Sequence, residues 1–137
     1  MKLITRNTDY ALRAICYIAK QKKVVTVAEL VKVLGIPQPF LRKILQQLSR
    51  NKILNSYKGQ SGGFKLRLLS KKIFIIQIIR IFQGEVSLNE CFLKRDICPN
   101  KGKCILRKKI RLIENNVLTQ LRQINIASLV EKKNGTR

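Results

Sequence analysis

The segment "ELVKVLGIPQPFLRKILQQL" (residues 29–48) contains two apolar-rich runs separated by a glycine and two prolines. Thr26 and Glu29 have the spacing of a capping box at the first run, and Gly35 is suited to end a helix. Pro39 is suited to the first turn of a second helix. The segment therefore predicts two short helices joined by a tight turn, the helix-turn-helix pattern. The first helix is expected to supply apolar contacts through Ala28, Leu30, Val31, Val33 and Leu34. The second is expected to form a buried stripe of Phe40, Leu41, Ile44, Leu45 and Leu48.

The sequence on both sides of this segment extends the pattern. Upstream, apolar residues recur at helical spacing over residues 11–19. Downstream, residues 53–57 and 64–69 have the composition of two strands around the glycine-rich tip "KGQSGG". Residues 70–84 are rich in isoleucine, which favours a strand, but their spacing favours a helix, and we predict the helix. The expected fold class is mainly α with a small β wing, a winged helix-turn-helix domain.

A long apolar seam follows near the end of the chain. Because such a seam needs a partner, it either folds back on its own domain or pairs with a second copy, and we favour pairing. The predicted organisation is a winged domain (1–84), a cysteine loop (85–104) and a dimerisation helix with its tail (105–137). The seam consists of Leu106, Ile110, Ile113, Val117, Leu121 and Ile124, at steps of four and three.

The charge balance restricts the function. The chain has 29 basic and 7 acidic residues, a formal net charge of +22, which favours a polyanionic partner. A Lys-, Ile- and Asn-rich composition can reflect genomic bias, but that bias accounts for only part of the charge. Since there is no histidine and there are few carboxylates, acid–base and Ser/His catalysis lack their residues, and we expect no enzyme.

Nothing in the sequence indicates export or membrane insertion. The amino-terminal residues lack the apolar region and the cleavage site of a signal peptide. The most apolar stretch, residues 73–82, is too short to span a bilayer and is interrupted by Gln77 and Arg80. We therefore expect a cytoplasmic protein with no membrane partner.

Three of the four cysteines lie in "CFLKRDICPNKGKC" (residues 91–104). In a reducing compartment, clustered thiols suggest metal or redox chemistry rather than structural disulfides. Iron–sulfur clusters take thiolate ligands, whereas structural zinc prefers four Cys or His ligands. A fourth thiol would have to come from Cys16, which the helical pattern places in the core. An iron–sulfur cluster, a zinc site and a metal-free thiol switch therefore all remain open at this point.

Five motifs in order carry a resemblance to a known family: "TDYALRAICYIA", "ELVKVLGIPQPFLRKILQQL", "KGQSGGFKL", "IIRIFQGE" and the cysteine segment. Together they resemble winged-helix regulators of the Rrf-two superfamily, of the IscR, NsrR and RirA kinds. The resemblance implies a transcriptional regulator, expected to be a repressor, that binds double-stranded operator DNA as a homodimer. It also implies an iron–sulfur cluster (4Fe-4S or 2Fe-2S) on Cys91, Cys98 and Cys104. Nitric oxide, iron, oxygen and cluster status are all compatible signals.

The fourth cluster ligand is a separate question. Some relatives carry a histidine three residues after the last cysteine, a position that is Arg107 here. NsrR-type relatives instead use an aspartate from the first helix of the partner subunit, and Asp9 within "TDYALR" matches that position. The alternatives are that Asp9 only complements the helix dipole, or that water, a thiol or a small molecule takes the fourth position.

The winged domain offers a set of candidate DNA contacts. Thr26 caps a helix whose N–H groups can bind phosphate. Gln38, Arg42, Lys43 and Gln46 are candidates for base edges, with phosphate contact as the alternative for the two cations. By resemblance, Lys58 stands where relatives carry a minor-groove arginine. The wing tip adds Gln60, Ser61, Gly62 and Gly63.

Two other function classes compete with this interpretation. A ferredoxin-like electron carrier would need four cysteines per cluster and usually has an acidic or neutral surface. A basic architectural or RNA-binding module would explain the charge and the wing, but would give the cysteine segment no role.

Overall fold

The computed structural model describes residues 2–88 and 104–131, which form a mainly helical fold with one two-stranded antiparallel sheet. This architecture confirms the predicted fold class. The elements in chain order are α1 (Arg6–Lys20), α2 (Val27–Leu34), α3 (Gln38–Arg50), β1 (Leu54–Tyr57), β2 (Gly63–Leu66), a 3₁₀ turn (Ser70–Lys72), α4 (Ile75–Gln83), α5 (Ile105–Gln123) and α6 (Ile126–Val130).

Helix α1 is the centre of the domain and contacts α2, α3, α4, α6 and β2. It begins after Thr5, whose side chain accepts a hydrogen bond from the backbone N–H of Thr8. Small and branched apolar residues share its inner face, so other helices can approach it closely. The fully buried members of that face are Ala11, Ala14, Ile15 and Ile18.

The helix-turn-helix forms as predicted. Thr26 Oγ1 accepts from the N–H of Glu29 at 3.1 Å, and Gly35 ends α2 in the left-handed conformation (φ +67°). The expected stripe of α3 is buried at Leu41, Ile44, Leu45 and Leu48.

The apolar contacts predicted for Ala28, Val33 and Phe40 were wrong. Ala28 is exposed, Val33 is 52% exposed and Phe40 is 56% exposed. Helix α2 is short and fully buries Leu30 alone, so the residues on its outer side remain in solvent. Phe40 lies about a quarter turn from the centre of the buried stripe of α3. Apolar character alone did not reveal which face each helix turns inward.

The wing is a short hairpin that is tied to the domain beneath it. Its strands pair from Leu54↔Leu66 to Tyr57↔Gly63, and both are shorter than the sequence predicted. Phe64 exchanges two backbone hydrogen bonds with Val25, at 2.8 and 2.9 Å, just before α2. A side chain at Gly63 would collide with the Val25 carbonyl oxygen, which explains why glycine stands there.

The carboxyl-terminal elements close onto the winged domain. The predicted helix α4 buries Ile75, Ile76, Ile78 and Ile79. The N–H of Ile75 donates to the Ile124 carbonyl at 2.9 Å, and the N–H of Ile126 donates to the Ile73 carbonyl at 2.8 Å. These bonds fix the end of α5 and the start of α6 to the residues that lead into α4.

The apolar seam of α5 divides into two parts. Leu121 is buried and Val117 packs against the core, so this end folds back on its own domain. The amino-terminal part is uncovered, with Leu106 at 66% and Ile113 at 51% exposure. Across residues 2–88 and 104–131, no helix has the length and apolarity needed to cross a membrane.

Candidate functional site

The exposed side of α3 carries the four residues predicted to read bases. Gln38, Arg42, Lys43 and Gln46 are all exposed. With the Gln38 amide oxygen turned toward Arg42, that oxygen accepts from Arg42 Nε at 3.2 Å and from Nη2 at 3.1 Å. Because the two residues are one helical turn apart, this bond holds the guanidinium along the helix. We call Gln38, Arg42, Lys43 and Gln46 the recognition surface.

Helix α3 is fixed in place by a neighbour of that surface. Gln47 Nε2 donates to the Ile81 carbonyl at 3.0 Å, so this amide joins α3 to α4. Gln47 is therefore engaged within the protein, while Gln46 beside it in sequence faces solvent. Of these two glutamines, only Gln46 is a sequence-based candidate for base edges, and that contact stays a prediction.

Thr26 is the cap that the sequence predicted, at the amino-terminal end of α2. The same helix end carries the Glu29 carboxylate, which pairs with Lys23 at 3.2 Å. Partial burial and the nearby Glu29 carboxylate raise the pKa of Tyr17. The amino-terminal end of α2 therefore presents backbone N–H groups beside the Glu29 carboxylate and the Lys23 ammonium group. Because Lys23 is positively charged, it offsets the repulsion that Glu29 would exert on a phosphate.

The wing tip presents polar and basic groups to solvent. Lys58, Gln60 and Ser61 are exposed, whereas Gly62 and Gly63 are partly buried. A side chain at Gly62 would collide with the Tyr57 carbonyl oxygen and one at Gly63 with the Val25 carbonyl oxygen, so contacts within the protein require both glycines. These contacts explain the two glycines without DNA, so the close approach of this backbone to DNA stays a prediction.

The cysteine segment is described only at its end. Cys91 and Cys98 lie outside the described residues, and Cys104 is the half-buried residue that immediately precedes α5. Its thiol forms no disulfide with the other described cysteine, Cys16. Among the described residues alone, no group of three potential metal ligands occurs, and that set omits two of the three segment cysteines.

A cavity of about 270 Å³ lies beside Cys104. Arg107 and Arg111, on the first two turns of α5, line it together with Glu114 and Ser87. Glu114 Oε2 also accepts from the backbone N–H of Leu88 at 3.1 Å, which ties the segment leaving α4 to α5. The cavity therefore combines a thiol with two guanidinium groups and one carboxylate. The sequence pattern identifies Arg107 only as the position where some relatives carry a histidine, and it gives no role to Arg111.

The other two residues considered as ligands lie on α1. Asp9 is in its first turn, and its Oδ2 accepts from Arg13 Nε at 2.9 Å in an exposed ion pair. Cys16 packs against the core as predicted, and burial raises its pKa, opposed by Lys20. A buried thiol with a raised pKa is a poor source of the thiolate that a metal requires.

Gln83 is an organising residue that sequence reasoning missed. Its Oε1 accepts from the Thr5 N–H at 2.9 Å and from Thr8 Oγ1 at 2.6 Å, and its Nε2 donates to the Leu3 carbonyl at 3.1 Å. These bonds join the last residue of α4, just before the cysteine segment, to the start of α1, which carries Asp9. The partners are 75 to 80 residues apart in sequence, so no local pattern could have indicated them.

Two relatives match nearly the whole chain in sequence. A protein of Aquifex aeolicus, named as a candidate HTH-type transcriptional regulator, is 32% identical over 131 residues, which cover 93% of this chain and 91% of the relative. Protein aau3 of Rhizobium meliloti is 28% identical over 132 residues, with coverages of 95% and 86%.

Solved structures share the fold at low sequence identity. CymR of B. subtilis, described as the global cysteine regulator, superposes with a TM-score of 0.80 at 20% identity, covering 95% of this chain and 97% of CymR. IscR of T. potens gives a TM-score of 0.74 at 17% identity, with coverages of 95% and 86%.

A family model also covers nearly the whole chain. The Rrf2 model, described as an iron-dependent transcriptional regulator, matches residues 4–132. The family and the Aquifex aeolicus relative are transcriptional regulators rather than enzymes. This protein therefore belongs to the Rrf2 family of transcriptional regulators, with a winged helix-turn-helix as its DNA-binding module.

Proposed function

We propose that this protein is a homodimeric repressor whose affinity for a double-stranded operator depends on an iron–sulfur cluster. The cluster would be held by Cys91, Cys98 and Cys104. The observation that carries the proposal is the place of the cysteine segment in the chain. The segment connects the winged domain to α5, and its last cysteine adjoins the half of α5 whose apolar residues are uncovered. In this proposal residues 1–84 bind DNA, residues 85–104 hold the cluster and residues 105–137 form the dimer.

The donor set fits a cluster. Three thiolates supply three ligand positions, which is the normal chemistry of iron–sulfur binding. Arg107 and Arg111 line the cavity beside Cys104, and their positive charges would offset the negative charge of a thiolate-bound cluster. When bound, the cluster supplies an inorganic centre that responds to redox state, iron supply and nitric oxide.

Asp9 of the partner subunit is the proposed fourth ligand. Its present partner is Arg13, in an ion pair whose side chains are 63% and 45% exposed. Exposed pairs of this kind contribute little to stability, so exchanging it for a metal bond costs little. A carboxylate is a weak ligand among thiolates and can leave readily, which favours nitric oxide as the signal.

We propose that the state of the cysteine segment is coupled to operator affinity through residues that join α1, α4 and α5. Gln83 ties the start of α1 to the end of α4, and Glu114 ties the following residues to α5. A change at the cysteine segment would therefore alter the angle between the two winged domains of a dimer. A coupling of about 1–3 kcal/mol, or roughly 5- to 150-fold in operator affinity, is typical of such regulation.

The test compares cluster-loaded and cluster-free protein on the same DNA. The protein is purified without oxygen, its absorption spectrum and its iron and sulfide contents are recorded, and a duplex is selected from genomic fragments. We expect the two forms to differ in affinity for this duplex at matched salt, and neither to prefer a scrambled duplex. The triple variant Cys91→Ser, Cys98→Ser, Cys104→Ser should behave as the cluster-free form, and Cys16→Ser as wild type. Equal affinity of the two forms would refute regulation by the cluster.

A cluster-free thiol switch is the second candidate. It is favoured by one comparison, because S. aureus CymR, solved in an oxidized form, superposes with a TM-score of 0.74 at 19% identity. In this case iron-free, zinc-free protein would lose or gain operator affinity on mild oxidation. Mass spectrometry would then find an oxidised Cys91, Cys98 or Cys104. If zinc rather than iron accompanied the purified protein, a zinc site would replace both candidates.

A further inference from the structure

Phe40 is a large aromatic side chain in the first turn of α3 that is 56% exposed. The core beneath the helix is complete without it, because Leu41, Ile44, Leu45 and Leu48 already form the buried stripe. An exposed phenyl ring gains little from folding, since most of its apolar surface remains in water. Its position therefore calls for an explanation other than stability.

Phe40 borders the recognition surface at one of its four residues. Lys43 lies one turn later and about 60° away around α3, whereas Gln38 and Arg42 pair with each other about 160° away from Phe40. In helix-turn-helix proteins the first turns of the second helix contact base edges in the major groove. Phe40 thus adds an apolar group to an otherwise polar and basic reading helix, at the end that would meet the bases.

A phenyl ring can distinguish only one feature of the major groove. It has no hydrogen-bonding group, and the one apolar group that base edges present there is the C5-methyl of thymine. We propose that Phe40 contacts a thymine methyl in each half of the operator and so determines a base preference. This inference rests on operator binding by the winged domain and does not depend on the cluster.

The experiment removes single methyl groups from the DNA. A duplex is first selected from a random-sequence pool with the wild-type protein. Each thymine is then replaced, one symmetric pair at a time, by deoxyuridine, which lacks only the C5-methyl. At one pair we expect wild-type affinity to fall about 15-fold, or about fourfold per half-site, the effect of exposing one buried carbon group.

Variants then assign the effect to Phe40. Phe40→Ala should bind the thymine and deoxyuridine duplexes equally at that pair, and Phe40→Leu should keep part of the discrimination. Val33→Ala is the matched control, because Val33 is an apolar residue of similar exposure on α2, and it should discriminate like wild type. Equal thermal midpoints of wild type and variants would show that the folded domain is intact. If Phe40→Ala unfolds, the reduced discrimination of Phe40→Leu alone tests the assignment.

Each remaining outcome overturns the assignment. It fails if no deoxyuridine pair weakens wild-type binding, or if Phe40→Ala remains as sensitive as wild type. It also fails if Phe40→Ala weakens binding to selected and scrambled duplexes by the same factor. If the wild-type protein selected no preferred duplex at all, operator recognition itself would be refuted, which is a different result.

Discussion

Gln83 uses both ends of its amide to hold the start of α1. Among the described residues, Thr8 is the one polar side chain that is fully buried, and its hydroxyl donates to Gln83 Oε1. A buried hydroxyl that loses its partner costs about 1–3 kcal/mol. The site of this network matters because Asp9 follows Thr8 directly.

We expect Gln83→Leu to lower the free energy of unfolding by about 1–2 kcal/mol, because the Thr5 N–H loses its acceptor and the Thr8 hydroxyl keeps only Thr5 Oγ1, at 3.1 Å. Urea denaturation monitored by circular dichroism measures the change. Gln120→Leu, the same substitution at an exposed position of α5, should change stability by less than about 0.5 kcal/mol. Equal effects of the two variants would show that the network does not stabilise the domain.

Glycines of the domain differ in why they are needed. Gly35 has a positive φ with open space around it, so alanine there suffers only the left-handed strain of about 1–2 kcal/mol. At Gly63 the added methyl would meet the Val25 carbonyl oxygen. We therefore expect Gly63→Ala to destabilise the protein more than Gly35→Ala does, in the same denaturation assay. The reverse order would mean that the Val25–Phe64 bridge can shift at little cost.

The apolar seam of helix α5 is buried at one end of the helix and exposed at the other. Its carboxyl-terminal half packs on the winged domain, while Leu106 and Ile113 remain exposed. If these residues meet a second copy, Ile113→Lys should raise the dimer dissociation constant at least about tenfold, since a charge would be buried among apolar groups. Sedimentation equilibrium measures this constant. Asn116→Lys makes the same addition at an exposed polar position and should leave the constant unchanged. An unaffected dimer in both variants would place the interface elsewhere.

The first turns of α5 permit a direct test of the cluster site. Arg107 occupies the position where some relatives carry a histidine ligand, and it lines the cavity beside Cys104. We expect Arg107→His to supply a fourth ligand and to slow the loss of iron to a chelator by roughly 10-fold or more. Arg111→His, one turn further along the same cavity, is the matched control and should not slow it. Equal iron loss from the two variants would contradict the proposed position of the cluster.

At the scale of the whole molecule, charge dominates. The formal charge is +22, because 29 basic residues face only 7 acidic ones, and three ion pairs occur among residues 2–88 and 104–131. Operator affinity should therefore fall steeply with salt, through release of counterions from DNA.

The contribution of the wing residue Lys58 to this salt dependence can be measured. If Lys58 contacts one phosphate in each half-site, Lys58→Ala should reduce the slope of log affinity against log salt by about 1.8 in the dimer, or about 0.9 per contact. Titrations of one duplex at several salt concentrations measure the slope. Lys109→Ala removes the same charge from α5 and should leave the slope unchanged. A slope that Lys58→Ala does not alter would remove Lys58 from the phosphate contacts.

The sequence predicted those parts of the fold that depend on local patterns. The cap at Thr26, the end of α2 at Gly35 and the helix after the wing follow from short-range chemistry and periodicity, and all three are confirmed. The burial of Phe40 was predicted wrongly, because burial depends on which face of a short helix meets its neighbours. The Gln83 bonds were not predicted, because they depend on packing between distant segments. The cluster ligands and the DNA contacts stay predictions.

The backbone bonds of Ile73, Ile75, Ile124 and Ile126 have a mechanical consequence. They fix the carboxyl-terminal end of α5, and Val117 and Leu121 hold its last turns against the core, so the part of the helix that is free to tilt is residues 105–116, about 18 Å long. A tilt of about 10° would carry Cys104 roughly 3 Å, by the geometry of a rigid rod of that length. The hydrogen bond from the Leu88 N–H to Glu114 Oε2 restrains such a tilt. We therefore expect a signal at the cysteine segment either to displace the start of α5 by a few ångströms or to break this bond.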